Sequence, residues 1–310
     1  MTFNHDKMYR LSYVATQYYI KDKTQSDIAK ALGVSRPMVS KLLKEARDLG
    51  IVEIKVKEFG NREDFLLERL EEMYSIKGGA LVEERESDFL INQDLSKGTV
   101  ELLENIGAKK IGVGWGHLIG ELVSWLEKNP KYNNMVSEVF PMVGNASIPA
   151  RNYQTNENVR IMAEQLGARP SFMYLPALPE SLEEKEILCS TTVYSQILDK
   201  WNHMDAAIVN IGNYPSSPDF ASLVRYGSLL SENKTCGRLL VYYFNEKGKI
   251  IESDQDFAIQ IPLEVLRKCP NIIGVCSATT SEKALRGAMR SELFTHIVAR
   301  KELVEKMLNV

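Results

Sequence analysis

Two short helices joined by a tight turn are the clearest prediction from the pattern of apolar and polar residues. Between Gln25 and Lys44, apolar residues recur at helical spacing on both sides of Gly33, which permits the left-handed backbone of a tight turn. Ser35 can cap the second helix, and Pro37 falls in its first turn, where a missing N–H is tolerated. This arrangement predicts a helix-turn-helix. The residues expected on its buried side are Ile28, Ala29, Leu32, Val39, Leu42 and Leu43.

The flanking segments predict a winged variant of this module. Residues 7–20 carry apolar residues at helical spacing and predict a helix that packs under the pair. Residues 51–57 alternate between apolar and polar, as a short strand does. The pattern breaks at Gly60, so residues 1–59 are expected to form one domain and residues 60–310 a second.

Beyond that boundary, apolar runs of strand length alternate with amphipathic stretches of helix length. The stretch 62–74 is expected to bury Phe65, Leu66, Leu70 and Met73 as a core helix, although a helix that pairs two subunits is an alternative. Because helices separate the strands, the pattern predicts a Rossmann-like, mostly parallel α/β sheet with its ligand at the carboxyl ends of the strands. Strands are predicted at 79–82, 110–115, 136–143, 172–175, 206–211, 238–244 and 272–275, and helices at 88–106, 118–126, 156–166, 183–201, 282–287 and 301–308.

The charge distribution divides the chain near the same place. Residues 1–57 contain eleven Lys or Arg and six Asp or Glu, a net charge of +5, whereas the remainder carries −8. A basic module that meets phosphates, joined to an acidic body that does not, fits this asymmetry. Arg36, Met38 and Ser40 are expected to face bases, and the lysines and helix ends to contact phosphates. An ordinary helical hairpin with a solvated basic face is the alternative. The residues expected to contact DNA are Gln25, Ser35, Arg36, Met38, Ser40, Lys41 and Lys44.

Loops rich in glycine and hydroxyl groups follow several predicted strands. The turn Gly114-Trp115-Gly116-His117 lies between a strand and a helix, where backbone N–H groups and the helix dipole favour an anion. The segments 143–145, 210–213 and 277–283 follow three other apolar runs. If these strand ends converge, they suit a small polar ligand with Lys283 as its cation. Each segment could instead be an ordinary surface loop.

Other composition signals point away from metals, disulfides and membranes. The four cysteines have no CxxC spacing and no histidine at zinc-finger intervals, so buried reduced thiols are expected, with no metal and no cofactor. The N-terminus has no apolar core preceded by positive charge, and no segment approaches eighteen uninterrupted apolar residues. We therefore expect a cytoplasmic protein with no membrane partner.

The order of these motifs resembles that of the SorC family of bacterial transcriptional regulators. Besides the helix-turn-helix, the resemblance rests on Gly-Trp-Gly at 114–116, Pro-Met-Val-Gly at 141–144, Ala-Glu-Gln-Leu-Gly-Ala at 163–168, Asp-Ala-Ala-Ile-Val-Asn-Ile-Gly at 205–212, and the segment around 236–238. It implies a C-terminal effector domain similar to sugar-phosphate isomerases and glucosamine-phosphate deaminases, without their catalysis. It also implies that the effector is a phosphorylated sugar.

The chain departs from the family pattern at three places in this domain. His117 and Leu118 stand where the family has threonine or another hydroxyl, Arg238 where it has aspartate, and Ser277-Ala278 where it has two glycines. The effector could therefore be a more anionic molecule, or the site could be degenerate; alternatively, Arg238 pairs with a carboxylate in the core. The expected effector-binding residues are Gly114, Gly116, His117, Leu118, Gly144, Asn145, Gly212, Arg238 and Lys283.

Three functions fit these features to different degrees. The first is a regulator that binds a pseudo-palindromic operator as a homodimer or homotetramer and is controlled by a sugar phosphate or related anion. The second is a sugar-phosphate isomerase or deaminase with an attached DNA module, for which His117, Asp205 and Glu157 are the acid–base candidates. The third, an architectural DNA-binding protein without a ligand, leaves the acidic body without a role. We therefore expect a regulator and not an enzyme.

Overall fold

The chain divides into two units, Met1–Gly60 and Asn61–Val310, and each is described by itself. The structure is a computed structural model that describes residues 2–52, 62–132, 134–218 and 220–310, and the side chains of residues 2–6 and 131 lie outside this description. The boundary expected at residue 59 and most of the strand expected at 51–57 fall outside the described residues. The wing therefore stays a prediction.

The N-terminal unit consists of three helices around a small apolar core. These are α1 (Thr2–Ala15), which continues into a π-helical segment (Thr16–Ile20), α2 (Gln25–Leu32) and α3 (Arg36–Asp48). Gly33 ends α2 with a φ of 63°, as its role in the turn requires. Ser35 stands at the N-cap position of α3, but its side chain makes no capping hydrogen bond, so that part of the expectation is wrong. The buried residues are Leu11, Val14, Ala15, Ile28, Ala29, Val39, Leu42, Leu43 and Ala46.

The second unit alternates helices and strands through most of its length. Its helices are α4 (Arg62–Tyr74), α5 (Asp88–Ile106), α6 (His117–Lys128), α7 (Thr155–Leu166), α8 (Leu182–Cys189), α9 (Thr192–Asn202), α10 (Ser222–Tyr226), α11 (Leu229–Glu232), α12 (Leu263–Leu266), α13 (Glu282–Arg290) and α14 (Lys301–Leu308). Its strands are β1 (Gly78–Val82), β2 (Lys110–Val113), β3 (Glu138–Pro141), β4 (Arg169–Pro170), β5 (Ala206–Asn213), β6 (Thr235–Leu239), β7 (Tyr242–Asn245), β8 (Ile250–Ile251), β9 (Ile272–Cys276) and β10 (His296–Arg300).

The central sheet is mostly parallel, as expected, and its strand order reverses in the middle. The order is β1-β10-β9-β5-β2-β3-β4, with all of these neighbours parallel, and an antiparallel extension β6-β7-β8 is attached to β5. From β2 the chain proceeds to β3 and β4 on one side, and from β5 it proceeds to β9 and β10 on the other. The adjacent strands β2 and β5 therefore form the switch point at whose carboxyl edge ligands of such sheets bind. Two large apolar clusters cover the two faces.

Three predicted elements of the sheet and its helices are wrong, each for a local reason. The run 238–244 is a hairpin, because buried Leu240 adopts a φ of +51° and turns the chain between β6 and β7. The stretch 172–175 is not a strand, since the backbone of Met173 bonds to the side chain of Asn156 in both directions, at 3.0 and 3.1 Å. The helix expected at 183–201 breaks at Thr191, whose hydroxyl caps α9 by accepting the amide of Tyr194.

Two further differences concern the first and last elements of this unit. Strand β10, which was not predicted, pairs with both β1 and β9 and joins the edge of the sheet to its centre. In α4, Leu66 and Leu70 are buried, but Phe65 and Met73 are 46% and 50% exposed. The expectation that all four would be buried is therefore wrong, because α4 covers the core with a single narrow stripe.

The cysteines are only partly as expected. All four are free thiols; Cys269 and Cys276 are buried, whereas Cys189 and Cys236 are half-buried. Burial raises the pKa of the Cys276 thiol to about 12 and that of Cys269 to about 11. Among the residues described here, no helix combines the length and apolar character that a bilayer crossing requires.

Candidate functional site

Loops from the carboxyl ends of β5 and β9 are joined by hydrogen bonds. The Thr280 hydroxyl donates to the carbonyl of Ile211 at 3.2 Å, and the Asn213 side chain donates to the carbonyl of Thr279 at 2.9 Å. In return, the amide of Ser281 donates to Asn213 Oδ1 at 2.9 Å. The predicted loops 210–213 and 277–283 therefore form one edge of the site.

The turn after β2 leaves the N-terminus of α6 without a side-chain cap. Gly116 stands at the N-cap position with φ 121° and ψ 177°, a conformation that glycine adopts readily and other residues do not. Its amide donates to the carbonyl of Asn152 at 3.1 Å. The amides of the first turn of α6 make no intrahelical bond, so they can bind an anion. Leu118, which was expected to contact the effector, is instead buried in the core below this turn.

His117 connects this turn to two asparagines. The buried Asn92 accepts the amide of Ala278 with Oδ1 at 2.9 Å, so its Nδ2 faces His117 Nε2 at 3.5 Å. The amide nitrogen of Asn152 lies 3.5 Å from Nδ1 on the other side of the ring. The histidine therefore links the β2 turn to the loop after β9.

An aromatic cluster lies beside the same turn. The Trp115 ring stacks on Phe220 with centroids 4.8 Å apart, and Tyr153 packs edge-on against both rings. Trp115 Nε1 donates to the carbonyl of Leu240 at 3.3 Å. The Arg238 guanidinium lies over the Phe220 ring, 4.5 Å from its centroid. These contacts hold the walls of the site at fixed positions.

Next to the cluster lies a cavity of about 560 Å³. It is bordered by the loops after β3 and β4 and by the segment around Phe220. Asn145 lines it, but its side chain already bonds to Thr155 and Met173, and Gly144 packs directly against the backbone of Pro176. The lining residues are Asn145, Ala146, Ser147, Ile148, Tyr174, Leu175, Pro176, Leu178, Pro218, Phe220 and Ala221.

The remaining predicted residues differ in their surroundings. A side chain at Gly114 would collide with Leu240, so this glycine serves close packing. Gly212 lies opposite Arg238 in the β5–β6 register, and Arg238 Nη1 donates to the carbonyl of Pro218 at 3.2 Å. The carboxylate partner considered for Arg238 is not found among the described residues. Lys283 is exposed on α13, and its carbonyl accepts the thiol of Cys236.

The three acid–base candidates do not come together. Asp205 precedes β5 and accepts the amides of Lys109 and Lys110, so it lies at the amino end of the strands and fixes the start of β2. Glu157 pairs with Arg160 on α7, and the hydrogen bond from that arginine lowers the pKa of the carboxyl. His117 lies beside Asn92 and Asn152 at the turn after β2. This arrangement does not favour an enzyme.

The predicted DNA-contacting residues lie in the N-terminal unit on the solvent side of its helices. The predicted residues that belong to α3 are exposed, whereas Val39, Leu42 and Leu43 of the same helix are buried. Gln25 and Arg36 also line one open groove of about 510 Å³ at the start of α2. Ser35 is exposed and Gln25 is half-buried, and the exposed residues of α3 are Arg36, Met38, Ser40, Lys41 and Lys44.

Several site residues were not predicted from the sequence. Asn210 lies in the expected segment 210–213 but was not among the expected effector-binding residues. It interrupts the apolar run of β5 after four apolar residues, and its Oδ1 is buried without a hydrogen-bond partner among the described residues. That interruption was the available signal. Asn92, Asn152 and Phe220 lie on a helix and in loops far apart in the chain, so no local pattern marks them.

Comparison with known proteins gives matches over nearly the whole chain. The profile of Sugar-bind, a sugar-binding domain family, matches residues 61–309. The deoxyribonucleoside regulator of Bacillus subtilis (strain 168) is 26% identical over 305 residues, which are 95% of this chain and 96% of that protein. The sorbitol operon regulator of Klebsiella pneumoniae is 24% identical over 325 residues, which are 98% and 99% of the two chains.

The fold is also that of a solved regulator. The crystal structure of the full-length sorbitol operon regulator SorC from Klebsiella pneumoniae superposes with a TM-score of 0.72 at 22% identity, covering 96% of this chain and 97% of that one. These relatives are named as regulators and not as enzymes. The resemblance to SorC-type regulators is thereby confirmed, and the chain belongs to the sugar-binding domain family.

Proposed function

We propose that this protein is an operator-binding transcriptional regulator whose DNA binding is controlled by a phosphorylated sugar or a related anion. The observation that carries the proposal is the polar face of α3, exposed above a buried apolar stripe, in a chain whose other unit is a sugar-binding domain. The names of two relatives refer to sorbitol and to deoxyribonucleosides, which supports a sugar-derived effector.

In the N-terminal unit, α3 acts as the recognition helix of a winged helix-turn-helix. Arg36, Met38 and Ser40 face bases in the major groove, whereas Lys41 and Lys44 contact phosphates. The helix ends at Gln25 and Ser35 add phosphate contacts. The wing expected from the sequence at residues 51–57 belongs to the same proposal, although most of it lies outside the described residues. The exposure of Arg36, Met38, Ser40, Lys41 and Lys44 on α3 supports this division of roles.

In the second unit, the effector binds at the carboxyl edge of β2 and β5. The uncapped N-terminus of α6 at Gly116 and His117 receives its anionic group, because free amides and the helix dipole favour negative charge there. Asn210 accepts a hydroxyl of the sugar with its Oδ1, which has no partner among the described residues. The cavity beside Asn145 accommodates the rest of the molecule.

The effector changes DNA binding through the quaternary arrangement. The protein acts as a homodimer or homotetramer in the cytoplasm, and a ligand that binds one arrangement better than another shifts the population of the form that fits the operator. Both repression and activation are compatible with this coupling.

The experiment that tests the DNA-binding half is a gel shift with the full chain and a duplex selected by the protein from a random-sequence pool. Arg36→Ala is expected to lose roughly 5- to 150-fold in affinity, since a base contact is worth about 1–3 kcal/mol. Lys41→Ala is expected to weaken binding of all sequences and to reduce the slope of log affinity against log salt by about 1.

The matched control is Lys30→Ala, which removes an exposed lysine from α2 instead of α3. It is expected to bind the duplex as the parent chain does, within about twofold. Unchanged binding in both α3 variants would overturn the assignment of α3 as the recognition helix.

A further inference from the structure

Arg238 is a buried cation whose charge is not matched by a carboxylate among the described residues. It is 9% exposed on β6, donates from Nη1 to the carbonyl of Pro218, and lies over the ring of Phe220. Arg225, which is completely buried in the same unit, has a partner, since its Nη2 lies 2.7 Å from Asp256 Oδ1. Among the described residues, Arg225 therefore has a carboxylate that neutralises its charge, and Arg238 does not.

A guanidinium in such a place favours an incoming anion. One carbonyl and one aromatic face compensate only part of the charge, and several N–H donors of the planar group have no partner among the described residues. Their fork geometry matches the oxygens of a carboxylate or a phosphate. Removing a charged group from water without a counter-charge is unfavourable, and an anionic ligand would relieve it.

The surroundings of Arg238 connect it to the rest of the effector site. A Cβ added to Gly212 would lie 3.3 Å from Arg238 Nε and 3.5 Å from Asn210 Nδ2, so the two side chains meet over this glycine. A Cβ added to Gly116 would lie 3.1 Å from the same Asn210 Nδ2. Gly116, Asn210, Gly212 and Arg238 therefore form a continuous row. The row offers helix amides at one end, and, among the described residues, an acceptor without a partner in the middle and a cation without a carboxylate at the other end.

We propose that Arg238 is a second anion subsite, so that the effector carries two acidic groups: one at the N-terminus of α6 and a second, carboxylate or phosphate, at Arg238. A hydroxyl between them donates to Asn210. This inference rests on the proposed function, because it assumes that the effector binds at this edge. It narrows the effector class from sugar phosphates in general to those with a second oxyanion, such as phosphorylated sugar acids or sugar bisphosphates.

The test is isothermal titration of the full chain with two pairs of probes that differ in one acidic group. The pairs are glucose 6-phosphate with 6-phosphogluconate, and fructose 6-phosphate with fructose 1,6-bisphosphate. One doubly acidic probe is expected to bind at least about tenfold more tightly than its partner, as a charge-assisted hydrogen bond allows. The pair that shows the preference identifies whether the second group is a carboxylate or a phosphate.

The variant Arg238→Gln is expected to reduce this preference to about twofold or less while changing affinity for the singly acidic probe by less than about threefold. The control Arg267→Gln makes the same charge change at an exposed arginine before β9 and is expected to keep the preference. A preference that survives in Arg238→Gln, or singly acidic probes that bind as tightly as doubly acidic ones, would overturn the second subsite. Either result would leave the proposed function standing, whereas failure of every phosphorylated probe to bind would count against both.

A second measurement separates a ligand-binding role from a structural one, whichever probes bind. Without ligand, Arg238→Met is expected to melt within about 2 °C of the parent chain, because it removes an unmatched charge and keeps most of the packing. A loss of many degrees would show that Arg238 stabilises the fold and would overturn the proposal. Asp219, a carboxylate outside the described residues, is tested in the same way. Destabilisation by Asp219→Asn would indicate that this carboxylate neutralises the charge of Arg238, and it would also overturn the proposal.

Discussion

Gly116 is the glycine of the candidate site whose backbone conformation itself requires a glycine. Its φ of 121° and ψ of 177° lie in a region that only glycine adopts without strain, and a Cβ there would lie 3.1 Å from Asn210 Nδ2. The strain is worth about 1–3 kcal/mol, and the close contact adds to it. We therefore expect Gly116→Ala to lose about 2–3 kcal/mol of unfolding free energy.

The assay is thermal unfolding of the full chain followed by circular dichroism. For a unit of this size each kcal/mol shifts the melting temperature by about 2–4 °C, so Gly116→Ala is expected to melt roughly 4–12 °C lower. The matched control is Gly107→Ala, which substitutes the left-handed glycine after α5. Its φ is +70°, and a Cβ there meets nothing within 4 Å. It is expected to lose about 1 kcal/mol.

The reasoning would be refuted if Gly116→Ala melted with the parent chain, or no lower than Gly107→Ala. A functional readout goes with the stability measurement. Because the strained turn positions the first amides of α6, Gly116→Ala is expected to weaken binding of a phosphorylated effector by roughly tenfold while operator affinity without effector is unchanged. Gly107→Ala should leave both affinities as they are.

Three further predictions concern buried charges and thiols. Asp256→Asn leaves the completely buried Arg225 without its carboxylate and is expected to lower the free energy of unfolding in urea by about 3–5 kcal/mol. The control Asp254→Asn, at an exposed position, is expected to change it by less than about 0.5 kcal/mol, and equal losses would contradict the prediction. Burial raises the pKa of Glu138, but the hydrogen bond and charge of Lys200 outweigh it, and the net pKa is lowered. The ionised Glu138 therefore stabilises the fold above the ordinary carboxyl pKa, and this stabilisation is lost as pH falls through the lowered pKa. Lys200→Met should make the melting temperature fall less steeply with decreasing pH. An unchanged dependence of melting temperature on pH would refute the pairing. Because burial raises the pKa of Cys276 to about 12, native alkylation at pH 8 should not modify it, and mass-spectrometric detection of a modified Cys276 in folded protein would count against its burial.

The parts of the fold that could be predicted from the sequence are those with a regular apolar period. The helix expected at 88–106 is present as Asp88–Ile106, and the one expected at 301–308 as Lys301–Leu308, because each combines a clear start signal or apolar stripe with a clear end. The parallel sheet followed from the alternation of strands and helices. These features depend on spacing within one segment, which a sequence displays directly.

The parts that could not be predicted depend on contacts between distant segments. The apolar run around Leu240 contains no residue type that predicts a turn. The segment around Met173 reads as a strand until its hydrogen bonds to the side chain of Asn156 are known. In the site, the glycine turn after β2 was visible, but the row from Gly116 through Asn210 to Arg238 exists only because β2, β5 and β6 are neighbours. Periodicity contains no information about such neighbours.

The measurement that tests the central claim most directly is the affinity of the full chain for its selected duplex, by fluorescence anisotropy, with and without each phosphorylated sugar. The account predicts that at least one of them changes operator affinity by roughly 5- to 150-fold, the range that a coupling of about 1–3 kcal/mol gives. It also predicts that Arg36→Ala lowers operator affinity without removing effector binding, because the DNA-contacting residues and the effector-binding residues lie in different units. Operator affinity that no sugar phosphate alters, in a protein that binds both DNA and the sugar phosphate, would contradict the claim that the second unit controls the first.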